Sequence, residues 1–477
     1  MITQFSPRRL ASFVLGRPAD WQLRAPWIRM PRLALHWVGP LAVIASVLGS
    51  WFAFDGVTGL SASSAFSMWV GAGSIVLMAW SFVLAVRIRL LERFWGGLDS
   101  MYRGHRWAGA LAIPLMFLHT AIEPETKGAQ LVAGASNGIA EAAEELAETG
   151  ELMLYGLVGV SLLRFIPYRF WRWTHKLFGL PFAFASWHFF TAMKPYENGS
   201  PWGVWFASFM VAGLAGFVAR VFVRDTVGQG LKYTVVEAEH TESLTRIRLA
   251  PGGKKLSFNA GQFAFLRIGA DGMREPHPLS IASGPDDEHL EFYVRHLGDW
   301  SDRLPSTDLV GQTVRIEGPY GEFEPMSHKH TRNVWIAGGV GLTPFLSSLG
   351  KMQPGIGRPT ILYACKSIDG DVLVERLRAA EADGHIDLHL FPSPNRLTPA
   401  ALDELFPRGM PDHHVALCGP EALVKDMAKA AYQRGARSIE TEDFDMRQGF
   451  GPERSREIDR LLRRQRPISA TGVKPTV

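Results

Sequence analysis

Long uncharged stretches fill the first half of the chain, and short ones punctuate the second. Gly56–Val86 runs for 31 residues without an Asp, Glu, Lys or Arg. About 20 apolar residues suffice for a helix to cross a bilayer. On that scale the pattern predicts six spans: Leu33–Phe54, one within Ala65–Val86, about His105–Ile122, a short fourth at about Leu152–Phe165, about Thr174–Met193 and about Trp202–Phe222. Arg164 can snorkel from the end of the fourth. From Glu237 onward the longest uncharged run is Asn333–Gly350, 18 residues broken by four glycines and Pro344, which makes a poor span.

The second half instead alternates. Tyr233–Glu239 and Leu244–Ala250 read as strands, followed by Phe258–Ile268 with Gly261 and Gln262 before its apolar run. Together, residues 233–325 suggest a small antiparallel β-barrel. Beyond it, buried strands at Asn333–Ala337, Thr360–Ala364, Val415–Leu417 and about Ser438–Met446 alternate with helical stretches, one at about Phe345–Lys351. That alternation predicts an α/β domain with a parallel sheet over 331–446. The fold class expected is therefore multidomain: a transmembrane α-helical six-helix bundle, then the β-barrel, then the α/β domain.

Composition agrees with two unlike halves. The chain has 477 residues, 47% hydrophobic and 20% charged, with a mean hydropathy of +0.03. Aromatic content of 11% excludes a largely disordered chain. Cys365 and Cys418 are too few for a disulfide framework and suit a reducing compartment. The net charge of +4 hides a strong asymmetry. Residues 1–32 hold six Arg, 87–106 hold five, and 164–176 hold three Arg and a Lys, whereas 123–151 hold seven Glu against one Lys. The positive-inside rule then puts the N-terminus, the loops 87–106 and 164–176, and everything after Arg220 in the cytoplasm. The Arg-rich N-terminus lacks the compact apolar core and cleavage site of a signal peptide and reads as a cytoplasmic lead-in. The acidic Ile139–Gly150 stretch is expected to be an amphipathic helix on the outer side, or simply a solvated face. The tail from Arg447, with Arg454, Arg456, Arg460, Arg463, Arg464 and Arg466, is either frayed or a basic amphipathic helix on anionic lipid.

Histidines inside apolar helices call for an explanation, because polar groups in a bilayer are costly and often functional. His105 and His119 lie 14 residues apart in the third span, His175 and His188 13 apart in the fifth. Each pair spans roughly 20 Å along its helix. The first pair shares a face; the second needs a kink, for which Pro181 is placed. Four such imidazoles can ligate two stacked b-type haems, each taking one His from each helix. The inner pair is then His105 and His175, and the outer pair His119 and His188; scattered core histidines are the alternative. His36 opens the first span with no second histidine at matching depth in the sequence, and it reads as an interfacial residue.

The polar half carries five further signals. His277-Pro278-Leu279-Ser280 puts a hydroxyl on a strand beside a Pro-fixed turn. Val294-Arg295 precedes Gly298-Asp299-Trp300-Ser301, where Arg295 is a bidentate phosphate donor or a plain surface charge, and Asp299 or Ser301 a helix cap. Gly338-Gly339-Val340-Gly341-Leu342-Thr343-Pro344 is a strand-to-helix turn that lets backbone approach a phosphate, without the last Gly of the usual dinucleotide fingerprint. Lys366 after the second strand favours a ribose 2′-phosphate only weakly. Cys418-Gly419-Pro420 ends another strand, where ligands bind in such sheets.

In combination these motifs resemble the ferric reductase and NADPH oxidase superfamily over roughly residues 33–446. The resemblance implies residues 1–32 as a cytoplasmic segment, 33–222 as a transmembrane bis-haem domain, 231–325 as an FAD-binding barrel, 331–446 as an NAD(P)H-binding domain and 447–477 as a basic tail. It implies Ser280 at the flavin N5 edge and His277, Arg295 and Ser301 on the rest of FAD, with Pro278, Leu279 and Val294 beside them. It implies Gly339, Gly341, Thr343 and Pro344 lining the nicotinamide nucleotide site, Lys366 near a 2′-phosphate, Cys418 with Gly419 and Pro420 near the nicotinamide, and Phe444 covering the flavin. Two departures concern oxygen: Glu123 stands where oxygen-reducing relatives carry a His, and only Asp55 follows span one where they carry an Arg. No calcium-binding loop is visible. The expected activity is transfer of electrons from cytosolic NADPH or NADH through FAD and two haems, across the lipid bilayer of the cell membrane, to an outer acceptor such as an Fe(III) chelate. Superoxide production from O2, or a haem-binding subunit with a docking module, are the alternatives. No nucleic-acid partner is expected, and the oligomeric state is not fixed by the sequence.

Overall fold

The computed structural model describes residues 30–122, 124, 128–163, 166, 168–224, 230–298, 300–326, 332–350, 352 and 357–442. Arg164, Glu123, Asp299, Phe444 and the basic tail lie outside these. The chain divides into two compact units. One combines residues 84–107 with 222–444, together with the chain up to Ala45; the other holds 46–83 and 108–221.

The apolar half forms α1 (Met30–Gly49), α2 (Ala62–Ala85), a short α3 (Arg89–Trp95), α4 (Leu98–Ala121), α5 (Asn137–Leu162), α6 (Tyr168–Lys176), α7 (Gly179–Thr191) and α8 (Pro201–Val218). Among the described residues three helices are long and apolar enough to cross a membrane: Leu35–Ala53, Ala62–Ala85 and Pro201–Phe222. The other expected spans differ for visible reasons. The third lies within α4, which begins at Leu98 and carries Asp99, Arg103 and Arg106 in its first turns. The fourth is not a short helix from Leu152. It is the second half of α5, whose first half is the acidic stretch expected as a separate helix. Ala, Glu and Leu are all strong helix formers, so no local signal interrupts the rod.

The fifth expected span is split. α6 ends at Lys176, and the chain restarts as α7 at Gly179. Pro181 therefore occupies the first turn of a new helix, where its missing N–H costs no hydrogen bond, rather than kinking a continuous one. Ser200 caps α8 by accepting from the Gly203 N–H.

The polar half folds around two sheets. The antiparallel barrel-like sheet has the order β4-β3-β6-β1-β2-β5, from β1 (Leu231–His240), β2 (Leu244–Pro251), β3 (Phe263–Ile268), β4 (His277–Ser280), β5 (Leu290–Arg295) and β6 (Thr313–Tyr320). β3 starts only at Phe263, because Gly261 at positive φ turns the chain just before it. Tyr233, Ile247, Leu266, Phe292 and Val314 fill the barrel core, each worth roughly 1.5–3 kcal/mol of burial for residues of the Leu, Ile and Phe kind. The second sheet is parallel throughout, ordered β11-β10-β7-β8-β9. It comprises β7 (Arg332–Gly338), β8 (Thr360–Cys365), β9 (Asp387–Pro392), β10 (His413–Cys418) and β11 (Ser438–Glu442). The helices α9 (Thr343–Leu349), α10 (Val372–Ala382), α11 (Pro399–Leu405) and α12 (Glu421–Gln433) accompany it. A shared apolar cluster joins Leu244, Ala282, Tyr293 and Phe323 of the barrel to Trp335, Phe345 and Tyr363 of the parallel sheet. The Gly261 N–H donates to Ser347 Oγ at 2.8 Å, and Arg376 pairs with Glu291 across the same seam.

Candidate functional site

The parallel sheet builds its site where the strand order reverses. From β7 the chain moves one way to β8 and β9, then returns to β10 and β11 on the other side. A crevice at the carboxyl ends of β7 and β10 is where such sheets bind ligands. Both glycine turns of the sequence analysis meet there. A methyl group added at Gly341 would lie 2.6 Å from the Cys418 carbonyl oxygen and the Gly419 Cα, so this packing excludes any side chain. Gly339 has a φ of +54°, and a methyl group added there would lie 3.9 Å from Arg295 Nη1. Arg295, exposed at the end of β5, is thereby brought beside the phosphate-type turn of the other sheet. Thr343 Oγ1 donates to the Val340 carbonyl at 2.9 Å and Pro344 sits in the first turn of α9, which fixes the turn before the helix. Cys418 is 1% exposed; Pro420 is the N-cap position of α12. Lys366 is exposed just past β8.

On the barrel, Ser280 ends β4 directly opposite Phe263 of β3, and Phe263 in turn opposes Tyr320 of β6. Opposed residues of an antiparallel pair point to one face, so these three share it. Leu279 packs against the barrel core and Val294 lies inside it. His277 stacks on Trp300, with ring centroids 3.9 Å apart, an aromatic partner the sequence did not single out. Pro278 opposes Phe265. Ser301 does not cap the helix it begins: its Oγ accepts from the Leu297 and Gly298 N–H groups and closes the preceding turn.

In the helical half, α4 carries His105 and His119 as expected, while His175 and His188 fall on separate helices, α6 and α7. His119 and His188 are close enough for a charge on one to act on the other. His119 Nδ1 donates to the Ser67 carbonyl at 2.9 Å. That contact selects a tautomer and leaves Nε2 for a ligand, the usual arrangement of a metal-binding imidazole. His188 Nδ1 is buried without a hydrogen-bond partner. Gly71 faces the His119 ring so closely that a methyl there would lie 2.8 Å from it. An oriented imidazole, an orphaned one and a cradle without a Cβ fit a haem between His119 and His188. His175 stacks on Trp171 at 4.8 Å and approaches Ser161 Oγ at 3.4 Å.

Charged groups around the outer pair were not legible beforehand. Thr120 and Tyr155 both donate to Glu151 Oε1, at 2.9 and 2.6 Å, and Glu151 acts electrostatically on His119, as Glu144 does on His188. Lys194, in the loop after α7, is 4% exposed and donates to the carbonyls of Phe189, Phe190 and Ala192. Burial pushes its ammonium down to about 8.

Comparison with known proteins adds the following. Residues 70–186 match the family model described as ferric reductase like transmembrane component, and residues 232–324 match an FAD-binding domain. Dual oxidase 2 of Rattus norvegicus is 30% identical over 160 residues, which are 30% of this chain and 10% of that protein. The ferredoxin–NAD(P)(+) reductase component of the naphthalene 1,2-dioxygenase/salicylate 5-hydroxylase systems of Ralstonia sp is 33% identical over 159 residues, 32% of this chain and 46% of that one. The chain thus spans less than half the length of these curated relatives. Among solved structures, the FAD/NAD-binding domain of nitric oxide dioxygenase from Vibrio cholerae O1 biovar El Tor is 22% identical. It covers 47% of this chain and 99% of its own, with a TM-score of 0.40.

Proposed function

We infer that this chain, a transmembrane oxidoreductase belonging to the ferric reductase and NADPH oxidase superfamily, moves electrons from cytosolic NAD(P)H to an acceptor on the outer side, with ferric iron as that acceptor. When bound, FAD accepts a two-electron hydride and releases electrons singly, and haem iron carries them one at a time. The residues supply position. The Gly339–Gly341 turn and the Cys418–Gly419 turn bound the nicotinamide nucleotide, and Arg295 meets its phosphates or those of FAD. Ser280 offers its hydroxyl to the flavin edge. His119 and His188 hold the outer haem iron through Nε2 of His119 and a ring nitrogen of His188.

The observation that carries this reading is the pair of outer imidazoles: one is oriented by Ser67, and the other has a buried nitrogen without a partner. Ferric iron is preferred over O2 because the sequence holds Glu123 and Asp55 where oxygen-reducing relatives are expected to hold a His and an Arg. The test is anaerobic addition of NADPH or NADH to the FAD-loaded protein in detergent, watching the haem absorption bands. Both should shift to the reduced form, and an Fe(III) chelate should reoxidise them without O2. Bands unmoved by either nucleotide would overturn electron transfer. Iron reduction abolished by superoxide dismutase in air would make O2 the acceptor.

A further inference from the structure

Residues 84–107 pack with the barrel in one compact unit. Leu84, Trp95, Leu98 and Met101 form an apolar cluster with Phe263, Phe265 and Tyr320. Trp95 fills the space left by Gly39 and Gly104, either of which would collide with the indole if it carried a methyl. Around this cluster stand two buried ionisable side chains. Arg87, 6% exposed, lays its guanidinium over the Phe265 ring with Cζ 3.7 Å from the centroid. It donates to Tyr102 Oη at 2.7 Å and faces Glu317 at 3.9 Å, while Tyr320 Oη donates to Glu317 at 2.7 Å. Glu92, 5% exposed, accepts the Gly321 N–H at 2.7 Å through Oε1.

Two features mark this contact as more than packing. Arg87 has a φ of +61°, the only such non-glycine residue among those described. A left-handed backbone is unfavourable for a residue with a side chain and persists only where the surroundings over-determine it. Secondly, the face the segment covers is the face of Ser280. Phe263, a member of the cluster, lies directly opposite Ser280, and the same segment continues through α4 to His105.

We propose that residues 84–101 are a clasp in which Arg87 and Glu92 act as positioning residues, holding the flavin edge at Ser280 in register with the helix that carries His105. Neither residue touches the reacting groups; each sets the separation across which an electron leaves the flavin. The proposal rests on the electron path given under Proposed function.

The test compares the FAD- and haem-loaded wild type with Arg87→Ala, Glu92→Ala and Glu92→Gln by anaerobic rapid mixing with NADPH. Flavin bleaching should keep its wild-type rate, and haem reduction should slow about tenfold in the Ala variants, the size of a loss near 1.4 kcal/mol. Glu92→Gln retains an acceptor oxygen and should restore it. Independently, amide exchange at Gly321 and across 98–102 should accelerate in the Ala variants, whether or not haem is bound. Unchanged exchange, haem reduction at the wild-type rate, or equal slowing of both electron steps would each overturn the clasp. If one Ala variant does not accumulate, the other decides by the same comparison. A wild type whose haem NADPH cannot reduce defeats the electron path, while the exchange measurement still judges the clasp.

Discussion

Single residues set the chemistry here by what they are denied. Glu92 is held away from water, and burial raises its carboxyl from 4.5 to about 7 despite the Gly321 N–H bond; Glu322 after β6 and Asp99 at the head of α4 add to the rise. A raised folded value means the docked state binds the proton more tightly. Its contribution to docking is full below about 4.5 and is lost as pH rises through about 7, a swing on the order of 3 kcal/mol. The protection of the Gly321 amide, the base-catalysed intrinsic rate relative to its exchange rate, should therefore fall between pH 6 and 8 in the wild type and stay constant in Glu92→Gln. An equal pH response in both would refute the assignment. None of this was legible in the sequence, where Glu92 is one acid among five arginines. The His119 partner was hidden as well, since Ser67 is 52 residues away. The four histidines themselves stood out because apolar helices rarely carry them.

At the scale of elements, the strands and glycine turns were legible because period-two alternation and Gly-Pro punctuation are local signals. Their junctions were less so. The acidic and apolar halves of α5 differ in composition but share helix-forming residues, so the sequence suggested two elements where one exists. α6 and α7 gave the opposite error: continuous hydrophobicity concealed a break at Leu177-Phe178. α3 is too short to announce itself, and its role is visible only through what it touches. The turn at Gly341 makes an element-level prediction. Because its neighbours are backbone atoms, Gly341→Ala must displace either the β7 turn or the β10 turn. Weaker NAD(P)H binding, read as a raised KM with unchanged FAD content, should follow. An unaltered KM would show that the interlocked turns do not bound the nucleotide.

Across the whole molecule, the split between an apolar half and a two-sheet reductase half was plain from charge-free runs alone. How the polar half allies itself with 84–107 was not, because that grouping depends on contacts between residues more than 200 positions apart. The seam between the barrel and the parallel sheet was equally hidden: Arg376, Glu291 and Ser347 look like ordinary surface residues until folded.

The single rod of α5 has a consequence for encounter kinetics. Its 26 residues span about 39 Å, against about 30 Å of hydrocarbon. In the proposed orientation its exposed Glu141, Glu144, Glu145 and Glu148 all lie in the outer half of the rod and make a fixed negative field there. Such a field reaches about 30 Å at 0.01 M ionic strength but only about 8 Å at 0.15 M. It acts on arrival rates more than on affinity. The kcat/KM for a cationic iron complex should fall as salt is added, while that for an anionic chelate should rise. Matching salt profiles for the two would mean that the rod does not sort acceptors by charge.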